Sequence, residues 1–125
     1  MERQGLYSPE VAMPRKGISQ GIKAGNMIFV SGQVGETAEG FVPEGIEAQT
    51  ELAIKNCISV LEAAGASLND VTMCRCFLKN EEDFEGMNKA YAKFFEPIEP
   101  GPGRYTVLAS PVCGFLIEIA MYAVV

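Results

Sequence analysis

The last stretch of the chain, GPGRYTVLASPVCGFLIEIAMYAVV (Gly101–Val125), carries only two charges, Arg104 and Glu118. Between Pro111 and Val125, Glu118 is the single charge in a segment otherwise built from core-type residues. A carboxylate taken from water into such surroundings must take up a proton or find a cation. Arg104 is the candidate cation on the strand read as adjacent, because guanidinium keeps its charge and its fork matches a carboxylate bidentately. Two readings stand at this point. Arg104 and Glu118 form a buried or interfacial salt bridge. Alternatively, Arg104 receives a substrate carboxylate while Glu118 handles a water or a proton.

Two further polar features lie where such a cleft would be. Asn88 is four residues after Phe84 and three before Tyr91, on the apolar face of a helical pattern, where an amide needs partners. It is either a satisfied core amide bonded to a loop carbonyl or a polar group facing a cleft. Ser31-Gly32-Gln33 ends a strand pattern with small and polar types, which fits a strand-end turn or a contact surface for a small ligand.

The chain has no histidine, which excludes Ser-His-Asp and Cys-His catalysis. There is no GxxxxGK[ST] or GxGxxG loop to cradle a phosphate. The four cysteines, Cys57, Cys74, Cys76 and Cys113, lack both a second close pair and a His for zinc, and read as small buried hydrophobes. With a net charge of −6 and no basic run beyond Arg15-Lys16, the chain lacks the footprint that a nucleic-acid backbone requires. No apolar run is long enough for a membrane span, and the N-terminus has no signal-type apolar core. The expectation is a single 125-residue cytoplasmic domain.

Around these residues the periodicities define the elements. Ile18–Ala24 and Met27–Gln33 read as strands joined by a Gly25-Asn26 turn. Gly35–Gly40 is a loop, with Phe41-Val42 as a short strand candidate. Ile46–Ala64 reads as a helix with Ala53, Cys57, Val60, Leu61 and Ala64 on one stripe and Gly65 as its terminator. Val71–Leu78 is a strand. Asn80 is placed to cap a second helix, with Phe84, Met87, Tyr91, Phe94 and Phe95 on its apolar face and Pro97 at its end. Arg104–Ala109 and Phe115–Val124 are the last strands. This order gives an α+β sandwich with two helices on one face of the sheet. Several strands are apolar on both faces, which two helices cannot cover, so the second face is expected to meet further copies of the chain.

Several segments together resemble the reactive-intermediate deaminases of the RidA/YjgF family, also called the L-PSP endoribonuclease family. NMIFVSGQVG is similar to that family's second strand, and GIEAQTELAIKNCISVLEAAGASLNDV to its first helix and following turn. FEGMNKAYAKFF resembles its second helix, and PGPGRYTV with LIEIAMYAV its C-terminal signature. The likeness runs from about residue 17 to residue 125 in the family's order. It implies a chorismate-mutase-like fold with a mixed sheet, a homotrimer whose sheets form a central barrel, and clefts between subunits. It also implies cofactor-free hydrolysis of reactive enamine or imine acids, such as 2-iminopropanoate from 2-aminoacrylate, to 2-keto acids and ammonia.

By the same resemblance, Arg104 stands at the position that binds the substrate carboxylate and Glu118 at the one that positions or activates water. Asn88, Ser31 and Gly32 stand at cleft-lining positions. The chain departs from the family at Ile18, where a cleft tyrosine is usual, and suits a different or bulkier substrate side chain there. Thr106 stands at a cysteine-or-threonine position, and Ala120 replaces a second glutamate. Two other readings use the same scaffold: a non-catalytic or regulatory protein that binds a small carboxylate, and the endoribonuclease or translation inhibitor that the family's older name suggests.

Overall fold

At Gly25-Asn26 the chain turns back on itself, with Gly25 in the left-handed region at φ 61° that a tight two-residue hairpin turn requires. In the computed structural model, which describes residues 1–125, this turn joins β2 (Gly21–Ala24) to β3 (Met27–Val34). The remaining elements are β1 (Arg3–Leu6), α1 (Ile46–Ala63), β4 (Val71–Leu78), α2 (Phe84–Phe95), β5 (Gly103–Leu108) and β6 (Ile117–Val124). They form one six-stranded sheet in the order β1-β2-β3-β6-β4-β5. All neighbours are antiparallel except β4 and β5, which run parallel across the α2 crossover. The α+β architecture with a mixed sheet expected from the sequence is the one observed.

The helix α1 forms where the apolar stripe repeats, and its end follows from Gly65. With φ at 74°, Gly65 reverses the chain so that its N–H donates to the carbonyl of Glu62 and that of Ala66 donates to Leu61. Ala53, Cys57, Val60 and Leu61 of the stripe are fully buried, with Ile54 beside them. They pack with Met87 of α2 onto Ile28, Val30, Cys74, Cys76, Leu78, Ile117, Ile119 and Met121 of the sheet. Burial of each such large aliphatic side chain contributes about 1.5–3 kcal/mol.

Three expectations need correction, and one strand carries no sequence signal. The N-terminal residues Arg3–Leu6 add an edge strand, anchored by buried Leu6; a four-residue segment with one apolar side chain gives no alternation to read. Ile18 lies outside β2, which begins at Gly21. Phe41-Val42 is not a strand: Thr37 N–H donates to Phe41 O, closing a surface loop around them. Asn80 makes no side-chain cap, because a short 3-10 turn at Glu81–Asp83 intervenes before α2. On the sheet face away from the helices, Tyr105 and Val107 are exposed and Phe29, Phe77 and Tyr122 half-buried.

Candidate functional site

The expected Arg104–Glu118 pair is not formed within the chain, and strand order explains why. The strand carrying Arg104, β5, pairs only with β4, so β4 separates it from β6. Register then places the two side chains on opposite faces, since residues paired across a ladder project to the same side. Arg104 pairs with Cys74, and Cys74 with Met121 on the helix-covered face. Glu118 pairs with Phe77 and Val34 on the other face. The sequence shows the alternation within each strand but not that β6 inserts between β3 and β4.

The Arg104 side of the sheet is anchored by α2. Arg104 Nη2 donates to Asn88 Oδ1 at 2.8 Å. The guanidinium lies over the Tyr91 ring at 4.7 Å and near that of Phe84 at 6.0 Å, cation–π contacts that hold its plane. Tyr91 in turn stacks on Phe95, with ring centroids 4.4 Å apart. Asn88 therefore faces the guanidinium, not a loop carbonyl. Phe84, Asn88 and Tyr91 fall at i, i+4 and i+7, so one stripe of α2 supplies the whole cradle; the spacing was legible, but Phe84 and Tyr91 read as ordinary core. The ion pairs of the chain are Lys89–Glu47 and Lys93–Glu51, and Arg104 has no carboxylate partner.

Two residues along β5, Thr106 projects to the same side. Its Oγ1 is buried without a hydrogen-bond partner. It lines a hollow of about 260 Å³ with Leu78, Glu81, Phe84, Val107 and Leu108. Beneath lies an uncharged layer: burial pushes the Cys74 thiol up to about 11 and the Cys76 thiol to about 12, and raises Tyr91 as well.

Glu118 occupies a different setting. β3 carries a bulge between Val30 and Gln33, which carries Ser31 and Gly32 out of regular pairing. A methyl group at Gly32 would lie 2.0 Å from Glu118 Oε2, so the carboxylate rests in the space that the missing side chain leaves. Ser31 Oγ donates to Ser19 O at 2.6 Å and Ser31 N–H to Gln20 O at 2.9 Å, tying this strand end to the segment that carries exposed Ile18. On its other side Glu118 borders a hollow of about 260 Å³ with Phe77, Ala109, Ser110, Pro111 and Val112.

Two amides of α1 hold these ends in place. Gln49 Oε1 accepts from Leu116 N–H at 3.0 Å, and Asn56 Nδ2 donates to the carbonyls of Val34 and Glu36 at 3.0 and 2.9 Å. Nothing in the pattern of α1 singled them out, since a buried amide in a helix shows its partners only once the loops are placed.

One chain thus presents two incomplete constellations. Arg104 and Asn88 offer a cation and an amide, and Phe84, which faces Arg104, also lines the largely apolar hollow that Glu81 and Thr106 border, a set that suits a small carboxylate with an apolar substituent. Glu118, Gly32 and Ser31 offer a carboxylate with open space beside it, a set that suits a water or a proton. No group of three or more Cys, Asp or Glu side chains is gathered to hold a metal ion. No helix is long and apolar enough to cross a membrane.

Comparison with known proteins adds a family to this geometry. The family described as Endoribonuclease L-PSP matches residues 10–125. A RutC family protein of Pyrococcus abyssi is 40% identical over 113 residues, which is 88% of this chain and 87% of that protein. A mouse protein named 2-iminobutanoate/2-iminopropanoate deaminase is 34% identical over 108 residues, 85% of this chain and 79% of the relative. Among solved structures, E. coli TdcF with bound serine superposes with a TM-score of 0.92 at 26% identity, covering 98% of both chains.

Proposed function

The chain belongs to the Endoribonuclease L-PSP family, the family of the RidA/YjgF proteins, and from that premise we propose that it is a hydrolase of small 2-imino acids. The reaction converts R–C(=NH)–COO⁻ and water into R–C(=O)–COO⁻ and ammonia. The observation that carries this reading is the division of the two charged groups. Arg104 and Glu118 stand on opposite faces, each without an ionic partner in its own chain, so two copies that meet complete one site. The exposed apolar face, with Tyr105 and Val107, is the surface through which three copies would close a barrel.

The residues then divide the work. Arg104, held flat by Tyr91 and by its bond to Asn88, takes the substrate carboxylate through its remaining donors. The substituent R enters the hollow walled by Leu78, Glu81, Phe84, Thr106, Val107 and Leu108. Glu118 of the adjoining copy aligns a water and accepts its proton as the oxygen bonds to the imine carbon. That proton passes to the nitrogen to give the carbinolamine; Glu118 then takes the hydroxyl proton and delivers it to the same nitrogen as the carbon–oxygen double bond forms, the carbon–nitrogen bond breaks and ammonia leaves. An imine carbon is electrophilic already, so orientation and one base suffice without a histidine. The mouse relative is named for this chemistry, and the serine bound to TdcF is a small carboxylate.

The test is to generate 2-aminoacrylate or another imino acid with a PLP enzyme or an amino-acid oxidase and follow keto-acid release with and without the protein. Acceleration by the wild type that is lost in Arg104→Met supports the reading. Equal rates together with retained 2-keto acid binding would replace it by the carboxylate-binding reading. RNA cleavage that survives Arg104→Met and extensive purification would replace it by the nuclease reading.

A further inference from the structure

The open face of the sheet carries one cation that the site described above does not use. Arg75, in the middle of β4, lies among Phe77, Tyr105 and Tyr122, its guanidinium carbon 5.7–5.8 Å from each ring centroid. Its Nε donates to the Tyr105 hydroxyl, and its Nη1 donates to the Tyr122 hydroxyl at 2.9 Å. Its partner across the ladder on β6 is Ala120, a small side chain that is itself buried and offers no polar atom. The nearest acid on that face of β6, Glu118, is one pair further along and makes no ion pair with it.

Three features follow from elementary donor counting. Nη2, with two N–H groups, has no protein partner. Each tyrosine oxygen accepts from the guanidinium, so each phenolic proton is left to donate elsewhere, and neither donates to a protein atom. The cluster therefore presents a fixed positive charge and two O–H donors together, with no acceptor and no counter-ion. Any partner that covers this face strips water from the cluster, and a desolvated guanidinium without an anion is costly.

We infer that Arg75, Tyr105 and Tyr122 form a second site, distinct from that of Arg104, which binds a small oxyanion such as phosphate or a carboxylate. Nη2 supplies a charge-assisted fork to one or two oxygens, and the two hydroxyls close around the same group. The ring faces confine the ligand to a small, planar or tetrahedral anion. The cluster lies on the face opposite Arg104, so its occupancy does not require the substrate arginine, although it shares that face with Glu118.

The experiment is thermal unfolding of the full-length protein in inorganic phosphate against potassium chloride at equal ionic strength. The wild type should gain about 5 °C or more at saturating phosphate over chloride. Arg104→Met should keep this gain, and Arg75→Met should lose it. The double variant Tyr105→Phe/Tyr122→Phe keeps the rings and the cation, folds if Arg75→Met does not, and should need about tenfold more phosphate for each hydroxyl removed. Citrate in place of phosphate should act in the same variants if carboxylates also fit. The inference fails if phosphate does no more than chloride or if the double variant responds like the wild type. It fails equally if the gain disappears in Arg104→Met while persisting in Arg75→Met, which would put the anion at the substrate arginine. A finding that Arg75→Met changes only the oligomeric state, with no phosphate response in any variant, would assign the cation to a carboxylate of a neighbouring copy and overturn it.

Discussion

Gly32→Ala separates stability from activity. The added methyl would stand 2.0 Å from Glu118 Oε2, 2.9 Å from its Cδ and 3.1 Å from its Cγ, its three nearest neighbours. All three atoms belong to one flexible side chain, so the clash is relieved by swinging Glu118 to another rotamer. That costs about 0.5–1.5 kcal/mol. The loss of a glycine from the unfolded chain offsets about 0.4–1 kcal/mol of this. The net change in stability is below about 1 kcal/mol, within about 4 °C in Tm for a chain of this size. The carboxylate, however, leaves the place where it can align water, and a displacement of about 1 Å at a reacting group costs about a hundredfold. The imine-hydrolysis assay, corrected for spontaneous hydrolysis, should show kcat reduced about a hundredfold or more with KM changed little, since Arg104 is untouched. Glu118→Gln should lose a similar factor, and the double variant should lose no more than the worse single. Full kcat in Gly32→Ala, or multiplicative losses in the double variant, would refute the assignment of Glu118 to the water.

Arg104→Met should lower kcat/KM by about thirty- to a thousandfold, chiefly through KM, because it removes the carboxylate's charged partner; Arg104→Lys should recover only part, having no fork to share between Asn88 and substrate. Gly35→Ala is the counterpart to Gly32→Ala: its methyl would lie 2.6 and 2.7 Å from the Cα and O of Gln49, backbone atoms of α1 that cannot swing aside. It should cost about 1–3 kcal/mol or more by chemical denaturation. Buried Cys74 and Cys76, raised from 9.0 to about 11 and about 12, hold their protons in the folded chain when the unfolded chain has released them. Stability should therefore fall as pH rises from about 9 towards 11, by up to about 1.4 kcal/mol per pH unit for each thiol, and Cys76→Ala should flatten the slope. In the native protein at pH 8, a thiol reagent should label exposed Cys113 alone.

The elements were largely legible because their signals are local. The stripe on α1, the Gly65 stop and the double-sided apolarity of β4 and β6 are all visible within short windows of residues, and each matches the structure. The position of Arg104 and Glu118 relative to each other was not, because it depends on which strands are neighbours. Reading β5 as adjacent to β6 follows chain order; the parallel β4–β5 crossover and the insertion of β6 beside β3 break that order. Asn88 was singled out correctly as a polar group on an apolar face, yet its partner came from β5, distant in sequence. Arg75 escaped notice because a lone charge in a strand reads as solvent-exposed until both tyrosines are seen to converge on it.

The central claim is that a working site takes its arginine from one copy and its glutamate from another. Mixing Arg104→Met with Glu118→Gln, unfolding and refolding them together, and measuring imine hydrolysis tests it most directly. At equal amounts, about a quarter of the interfaces should join an intact Arg104 to an intact Glu118, restoring about a quarter of wild-type activity from two inactive parents. Activity no higher than the mean of the parents, in hybrids shown to have formed, would contradict it.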